Sequence, residues 1–181
     1  ESQAGDIDKL YFWRSAIMVC EGVITFAKRH AELARRLAEK ETNSDRREEL
    51  LEIAEVCEWV PENPARTMHE AIQSVTFVLL ATKLEMPQLP GDDGRPDQFL
   101  WPYFERDFRE GRITLERAGE LIGDFLAFRG SVISVHGAWY IGCNQTVAEL
   151  NHVTVGGVDR SGKDATTALS YLILHVMGLL R

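Results

Sequence analysis

The 181-residue sequence predicts a mainly α-helical protein that contains one short strand–turn–helix unit. Apolar residues recur every three or four positions through most of the chain, which is the spacing of one helix face. Residues 152–158 are instead rich in valine and glycine, and they precede a glycine-rich turn. An apolar stretch over 164–180, opened by Asp164, predicts the helix that follows the turn.

Five helices are predicted before that unit. They cover residues 8 to about 40, 45–58, 67–86, 99–108 and 114–126. Thr67 with Glu70 forms a capping box, and Thr114 caps the fifth helix. At about 1.5 Å per residue the first helix would be roughly 50 Å long, more than a compact domain of this size usually holds. We therefore expect it to lie along the outside of something larger.

The composition limits the partners and the compartment. Twenty basic and 28 acidic residues give a net charge of −8, which would repel a phosphate backbone, so no nucleic acid is expected. No uninterrupted apolar run approaches the roughly 20 residues of a membrane span, so no membrane partner is expected. Three widely separated cysteines (Cys20, Cys57 and Cys143) fit a reducing cytoplasm. Because the sequence does not begin with Met, we expect it to be a piece of a longer chain.

The glycine-rich turn Gly157–Lys163 comes close to a nucleotide-binding loop. It matches the pattern GxxxxGK between a strand and a helix. A phosphate loop would next need Ser or Thr for magnesium, but position 164 is aspartate, and Asp159 adds a second negative charge. We interpret the segment as a tight turn with Asp164 as the helix N-cap. Nucleotide binding through Gly157–Lys163 remains an alternative.

Local chemistry predicts no catalytic residue and no metal site. The five histidines lack HxxH, HxxxH and HExxH spacing, and the serines lack a GxSxG setting. Asp92 and Asp93, with Asp97, could bind a cation, but the flanking glycines favour a solvated turn.

Five phrases, in order along the chain, resemble the glycyl radical enzymes of the pyruvate formate-lyase-like superfamily. They lie in residues 12–34, 64–73, 94–103, 111–122 and 153–172. Residues 94–103, Gly-Arg-Pro-Asp-Gln-Phe-Leu-Trp-Pro-Tyr, resemble the family's GRxDQ…PYY stretch. Residues 153–159 and 164–172 resemble its TIGGVDxxGxDATNELSYL stretch.

The resemblance implies a ten-stranded α/β barrel wrapped in helices, of which residues 1–181 would be one partial domain. It implies radical chemistry that makes or breaks a C–C, C–O, C–N or C–S bond in a small organic substrate. The radical would be installed by a separate S-adenosylmethionine iron–sulfur activating enzyme, so this chain itself would bind no cofactor. The expected partners are the rest of the parent polypeptide, or a homo-oligomer, together with the activating enzyme and the substrate.

This sequence departs from the family in what it lacks. The family needs a thiyl cysteine and a glycine in an RVxGY-like motif, and neither motif occurs here. Cys143 follows a glycine, but it precedes the GGVD phrase, so no catalytic role is assigned and we expect the chain alone to be inactive. The resemblance also predicts that four polar residues contact the substrate: Asp92, Asp93, Asn151 and His152. A non-catalytic helical interaction module, with an uncovered face on helices 67–86 and 99–128, is the alternative.

Overall fold

The computed structural model describes residues 2–85, 94–131 and 153–180. The chain divides into two compact units, Glu1–Ala65 and Arg66–Arg181. The described residues form helices α1 (Ser2–Ala38), α2 (Ser44–Trp59), α3 (Met68–Glu85), α4 (Pro96–Phe99), α5 (Trp101–Arg109), α6 (Leu115–Ser131) and α7 (Ala168–Leu179). The predicted mainly helical fold is therefore confirmed.

The first unit is a pair of packed helices. The C-terminal half of α1 presents a stripe of buried alanines at helical spacing, Ala27, Ala31, Ala34 and Ala38. Such small side chains let α2 approach closely, and α2 contributes Leu50, Ala54, Val56 and Cys57 to the shared core. Burial raises the pKa of Cys57 to about 11, so its thiol stays protonated at neutral pH.

Exposed ion pairs flank this interface. Lys28 Nζ lies 2.6 Å from Glu62 Oε2, and Arg35 Nη1 lies 2.9 Å from Glu58 Oε2. All four side chains are more than 40% exposed, so each pair contributes little, about 0–1 kcal/mol. The stability of the first unit therefore depends mainly on the buried apolar core between α1 and α2.

Helix α1 also has the length and apolar composition that a membrane-crossing helix would need, over Asp6–Ala38. Its C-terminal half, however, buries one stripe against α2 and carries charges elsewhere, which is the pattern of a helix that packs on a protein core.

The second unit has its core among α3, α5, α6 and α7. Its most buried apolar side chains are Met68, Phe77, Leu100, Phe104, Ala118, Ile122, Leu169 and Ile173. Two glycines of α6 face α7. A Cβ added at Gly119 or Gly123 would lie 3.7 or 3.6 Å from Val176, so α7 packs nearly against the backbone of α6.

The helix cap predicted at Thr114 is confirmed, whereas the capping box predicted for Thr67 and Glu70 is only half formed. Thr114 Oγ1 accepts a hydrogen bond from Arg117 N at 3.1 Å. Thr67 Oγ1 likewise accepts from Glu70 N at 3.2 Å, but the Glu70 carboxylate accepts from the backbone N–H and guanidinium of Arg66. The carboxylate thus binds one residue earlier than in a capping box, because Arg66 offers it both a backbone donor and a charge.

The helix predicted to begin at Asp164 begins at Ala168 instead, so the assignment of Asp164 as its N-cap was wrong. Thr167 is the N-cap, and it forms a reciprocal capping box with Ser170. Asp164 Oδ1 accepts from the backbone N–H and the hydroxyl of Thr166, at 2.9 and 2.7 Å. Thr167 caps because its partner lies three residues on, at the spacing that satisfies two end donors.

The predicted strand is reduced to one antiparallel bridge between Val158 and Asp164 within the described residues. Residues 153–157 have no ladder partner in the part of the chain that the structure describes. A strand requires a neighbour to accept its backbone hydrogen bonds.

Candidate functional site

Two of the family-like phrases meet in space, and we call this contact the motif junction. Three side chains of the GRPDQ phrase bind the backbone that carries the GGVD phrase. Arg95 Nη1 donates to Gly156 O and Val158 O, at 2.9 and 3.1 Å. Gln98 Nε2 donates to Ala165 O at 2.7 Å. The partners are more than 60 residues apart in sequence, so the junction is tertiary.

Asp97 lies at the centre of the motif junction and is 0% exposed. Its Oδ2 accepts from Gly156 N at 2.7 Å and from the hydroxyl of Ser170. Ser170 lies in the first turn of α7, where the helix dipole favours a negative group. Oδ1 is buried without a hydrogen-bond partner. The solvated turn predicted for Asp97 is therefore wrong, because this carboxylate organises buried backbone.

Two adjacent glycines make the close approach possible. Gly156 has φ +69°, and a Cβ there would lie 3.1 Å from Thr166 Oγ1. Gly157 has φ +86°, and a Cβ there would lie 3.0 Å from Arg95 Nη1. Both positions therefore require glycine for its backbone conformation and for its lack of a side chain.

The turn at residues 159–163 is stabilised by hydrogen bonds to the carboxylate of Asp159. Asp159 Oδ1 accepts from the N–H and hydroxyl of Ser161, both at 2.7 Å, and from Lys163 N at 3.0 Å. These hydrogen bonds, led by the Ser161 hydroxyl and the Lys163 N–H, lower the pKa of Asp159. A carboxylate thus occupies backbone donors that a phosphate loop would offer. Because α7 begins only at Ala168, its N-terminus is also displaced from Lys163. The geometry disfavours the nucleotide-binding alternative.

A second buried carboxylate, that of Asp107, was not predicted from the sequence. It is 2% exposed, and its Oδ2 accepts from Met68 N at 2.7 Å, which satisfies a donor at the start of α3. Its Oδ1 accepts from Arg112 Nη2 at 2.7 Å. The only sequence signal was a lone aspartate between aromatic residues of a helix, and that signal does not name a partner.

The four predicted substrate contacts, Asp92, Asp93, Asn151 and His152, lie outside the described residues, and so does Cys143. Asp93 is two residues before Arg95, and His152 is four residues before Gly156. No group of three His, Cys, Asp or Glu side chains with metal-binding geometry occurs among the described residues.

Comparison with known proteins identifies the class. The family profile described as pyruvate formate lyase-like matches residues 1–181, and the chain belongs to this family. It is thus homologous to glycyl radical enzymes, and the motif junction lies between two phrases that resemble theirs.

Individual relatives agree with this assignment. The isethionate sulfite-lyase of Nitratidesulfovibrio vulgaris is 41% identical to this chain over an alignment that covers 96% of this chain and 21% of the relative. The glycerol-bound B12-independent glycerol dehydratase of Clostridium butyricum matches with a TM-score of 0.85 at 30% identity, covering 92% of this chain and 21% of that one. A glycyl radical enzyme of Archaeoglobus fulgidus matches with a TM-score of 0.82 at 38% identity, and the match covers 88% of this chain and 21% of that one. The chain therefore spans about a fifth of the length of these relatives.

Proposed function

We propose that this chain is part of the helical wall of a glycyl radical enzyme. The parent would make or break a C–C, C–O, C–N or C–S bond in a small organic substrate by hydrogen abstraction. The observation that carries the proposal is the motif junction, which joins two family-like phrases through buried hydrogen bonds, in a chain that superimposes on a fifth of known glycyl radical enzymes.

The chain's own contribution is structural. It carries no counterpart of the thiyl cysteine or the glycine motif, so we propose that it binds no cofactor and is inactive alone. The radical would be generated on the remaining polypeptide by a separate S-adenosylmethionine iron–sulfur activating enzyme, in the cytoplasm. Radical intermediates of the reaction must be shielded from water. A wall of packed helices contributes to that shielding.

The four predicted substrate contacts are close in sequence to the two phrases that meet at the motif junction. Asp93 is two residues before Arg95 in the sequence, and His152 is four residues before Gly156. Arg95 Nη1 is bonded to Gly156 O at 2.9 Å. We therefore propose that Asp92 and Asp93 share one substrate-facing region with Asn151 and His152.

A chimeric enzyme tests the wall proposal. In it, this chain replaces the matching fifth of the Nitratidesulfovibrio vulgaris isethionate sulfite-lyase. With activating enzyme, S-adenosylmethionine and reductant, we expect a glycyl radical in the electron paramagnetic resonance spectrum of the chimera, and none from the 181-residue chain. A glycyl radical on the isolated chain would refute the assigned role.

The same chimera tests the proposed substrate-facing region. Changing Asp92 and Asp93 together to Asn should alter the KM for isethionate at least about fivefold, a coupling of roughly 1 kcal/mol, and leave the radical yield unchanged. Asp159→Asn is the matched control, because that carboxylate is exposed and bonded within its own turn. Equal KM values for both variants would remove the aspartates from the site.

One observation favours the interaction-module alternative: Val78, Leu84 and Phe108 are 54%, 80% and 48% exposed. These side chains would lie on the binding face of helices 67–86 and 99–128. Self-association of the isolated chain at micromolar concentration, measured by sedimentation, would support that alternative. A clean monomer would weaken it.

A further inference from the structure

The guanidinium of Arg95 is held in place by the motif junction. Its Nη1 donates to two backbone carbonyl oxygens, Gly156 O at 2.9 Å and Val158 O at 3.1 Å. Gly157 has no side chain, and a Cβ there would lie 3.0 Å from Nη1, so the guanidinium packs against the backbone of this glycine. Because a guanidinium is a rigid planar fork, these contacts also restrict the direction of its remaining N–H groups.

The other edge of the guanidinium, formed by Nε and Nη2, is open. Among the described residues neither nitrogen has a hydrogen-bond acceptor, and neither belongs to the buried polar atoms that lack a partner. Both nitrogens are therefore accessible. This edge carries two parallel N–H groups, which is the geometry that binds two oxygens of a carboxylate or a sulfonate.

Arg95 also has no carboxylate at ion-pair distance within the part of the chain that the structure describes. Arg112, by contrast, places Nη2 2.7 Å from Asp107 Oδ1. Asp97, in the same phrase as Arg95, directs its Oδ2 to Gly156 N instead. Arg95 is half-buried, and a cation that is partly removed from water is stabilised by an opposite charge. Its positive charge is thus available to an anion.

We propose that Arg95 binds an anionic group of the substrate, a carboxylate or a sulfonate, through Nε and Nη2. This inference rests on the proposed function, and it adds a negative charge to the substrate class assigned there. Arg95 is two residues after Asp93 in the sequence. The junction contacts also favour binding, because an arginine that is already fixed in position loses less conformational entropy when an anion binds.

Two other partners for the open edge are separated by the test below. A carboxylate from the rest of the polypeptide would occupy Nε and Nη2 permanently, so added anions would not bind there. A nucleotide fits less well than a single anionic group. Asp159 and Asp164 are both exposed in the adjoining turn, and their charges repel a polyphosphate more strongly than a monoanion.

Calorimetric titration of the chimera before activation tests the proposal without requiring the radical. The ligands are ethanesulfonate, propionate and the uncharged ethyl methyl sulfone, which have similar sizes. We expect at least one anion to bind more tightly than the sulfone, and the better anion distinguishes sulfonate from carboxylate. Arg95→Gln should raise the Kd of that anion at least about tenfold, because it removes a charge-assisted pair of hydrogen bonds.

Two further variants separate the charge of Arg95 from its structural role. Gln98→Ala removes the 2.7 Å hydrogen bond to Ala165 O but no charge, so the Kd of the anion should stay within about twofold. Arg95→Lys keeps the charge and loses the paired N–H edge, so it should raise the Kd by only about threefold. If Arg95→Lys were as weak as Arg95→Gln and Gln98→Ala matched both, the role of Arg95 would be structural only.

The outcomes also separate this inference from the proposed function. A chimera that binds neither anion, or whose anion affinity is unchanged by Arg95→Gln, contradicts the role of Arg95 whether or not a glycyl radical forms. A chimera that binds an anion through Arg95, but forms no radical after activation, supports the anion site and contradicts the proposed function.

Discussion

Asp97→Ala should destabilise the chain by about 3–5 kcal/mol. The substitution removes the acceptor of two buried donors, the Gly156 N–H and the Ser170 hydroxyl, at a site that is 0% exposed. Each buried donor left without a partner costs about 1–3 kcal/mol. Urea unfolding followed by circular dichroism measures the loss.

Two further variants make the Asp97 result specific. Asp97→Asn keeps the shape and one carbonyl oxygen, so it should lose roughly half as much stability. Asp124→Ala removes an exposed aspartate of α6 and should stay within about 0.5 kcal/mol of the parent chain. If Asp97→Ala were as stable as Asp124→Ala, the carboxylate would not organise the motif junction.

Gly157→Ala should cost about 3 kcal/mol, against about 1 kcal/mol for Gly162→Ala. Both glycines have positive φ, +86° and +81°, so both alanines suffer the same backbone strain. Only at Gly157 does the new Cβ meet another group, Arg95 Nη1 at 3.0 Å, whereas nothing lies within 4 Å at Gly162. The extra loss comes from displacing a guanidinium that binds two carbonyl oxygens.

A double-mutant cycle tests this explanation of the Gly157 effect. In an Arg95→Ala background the guanidinium is absent, so Gly157→Ala should cost no more than Gly162→Ala. An unchanged cost in that background would show that the loss at Gly157 is backbone strain alone.

Local patterns in the sequence predicted most of the helices. The apolar spacing indicated α1, α2, α3 and α6, and Thr114 marked the start of α6 correctly. The start of α7 was missed because Asp164 and Thr167 are both good capping residues. The choice between them depends on Ser170, whose hydroxyl accepts from Thr167 N and also contacts Asp97.

The burial of Asp97 could not be predicted from its surroundings in the sequence. It follows a segment rich in proline, glycine and aspartate, which indicates a solvated turn. Its two donors are 59 and 73 residues away, and only the folded chain brings them to it. Resemblance identified both phrases of the motif junction, but a family pattern does not state which of its phrases touch.

The central claim is that this chain forms the wall of an enzyme whose radical resides elsewhere. Electron paramagnetic resonance of the activated chimera tests it most directly, with the isolated chain measured under the same conditions. We expect a glycyl radical signal from the folded chimera and a silent spectrum from the 181-residue chain. A folded chimera that cannot carry the radical, or an isolated chain that can, would contradict the account.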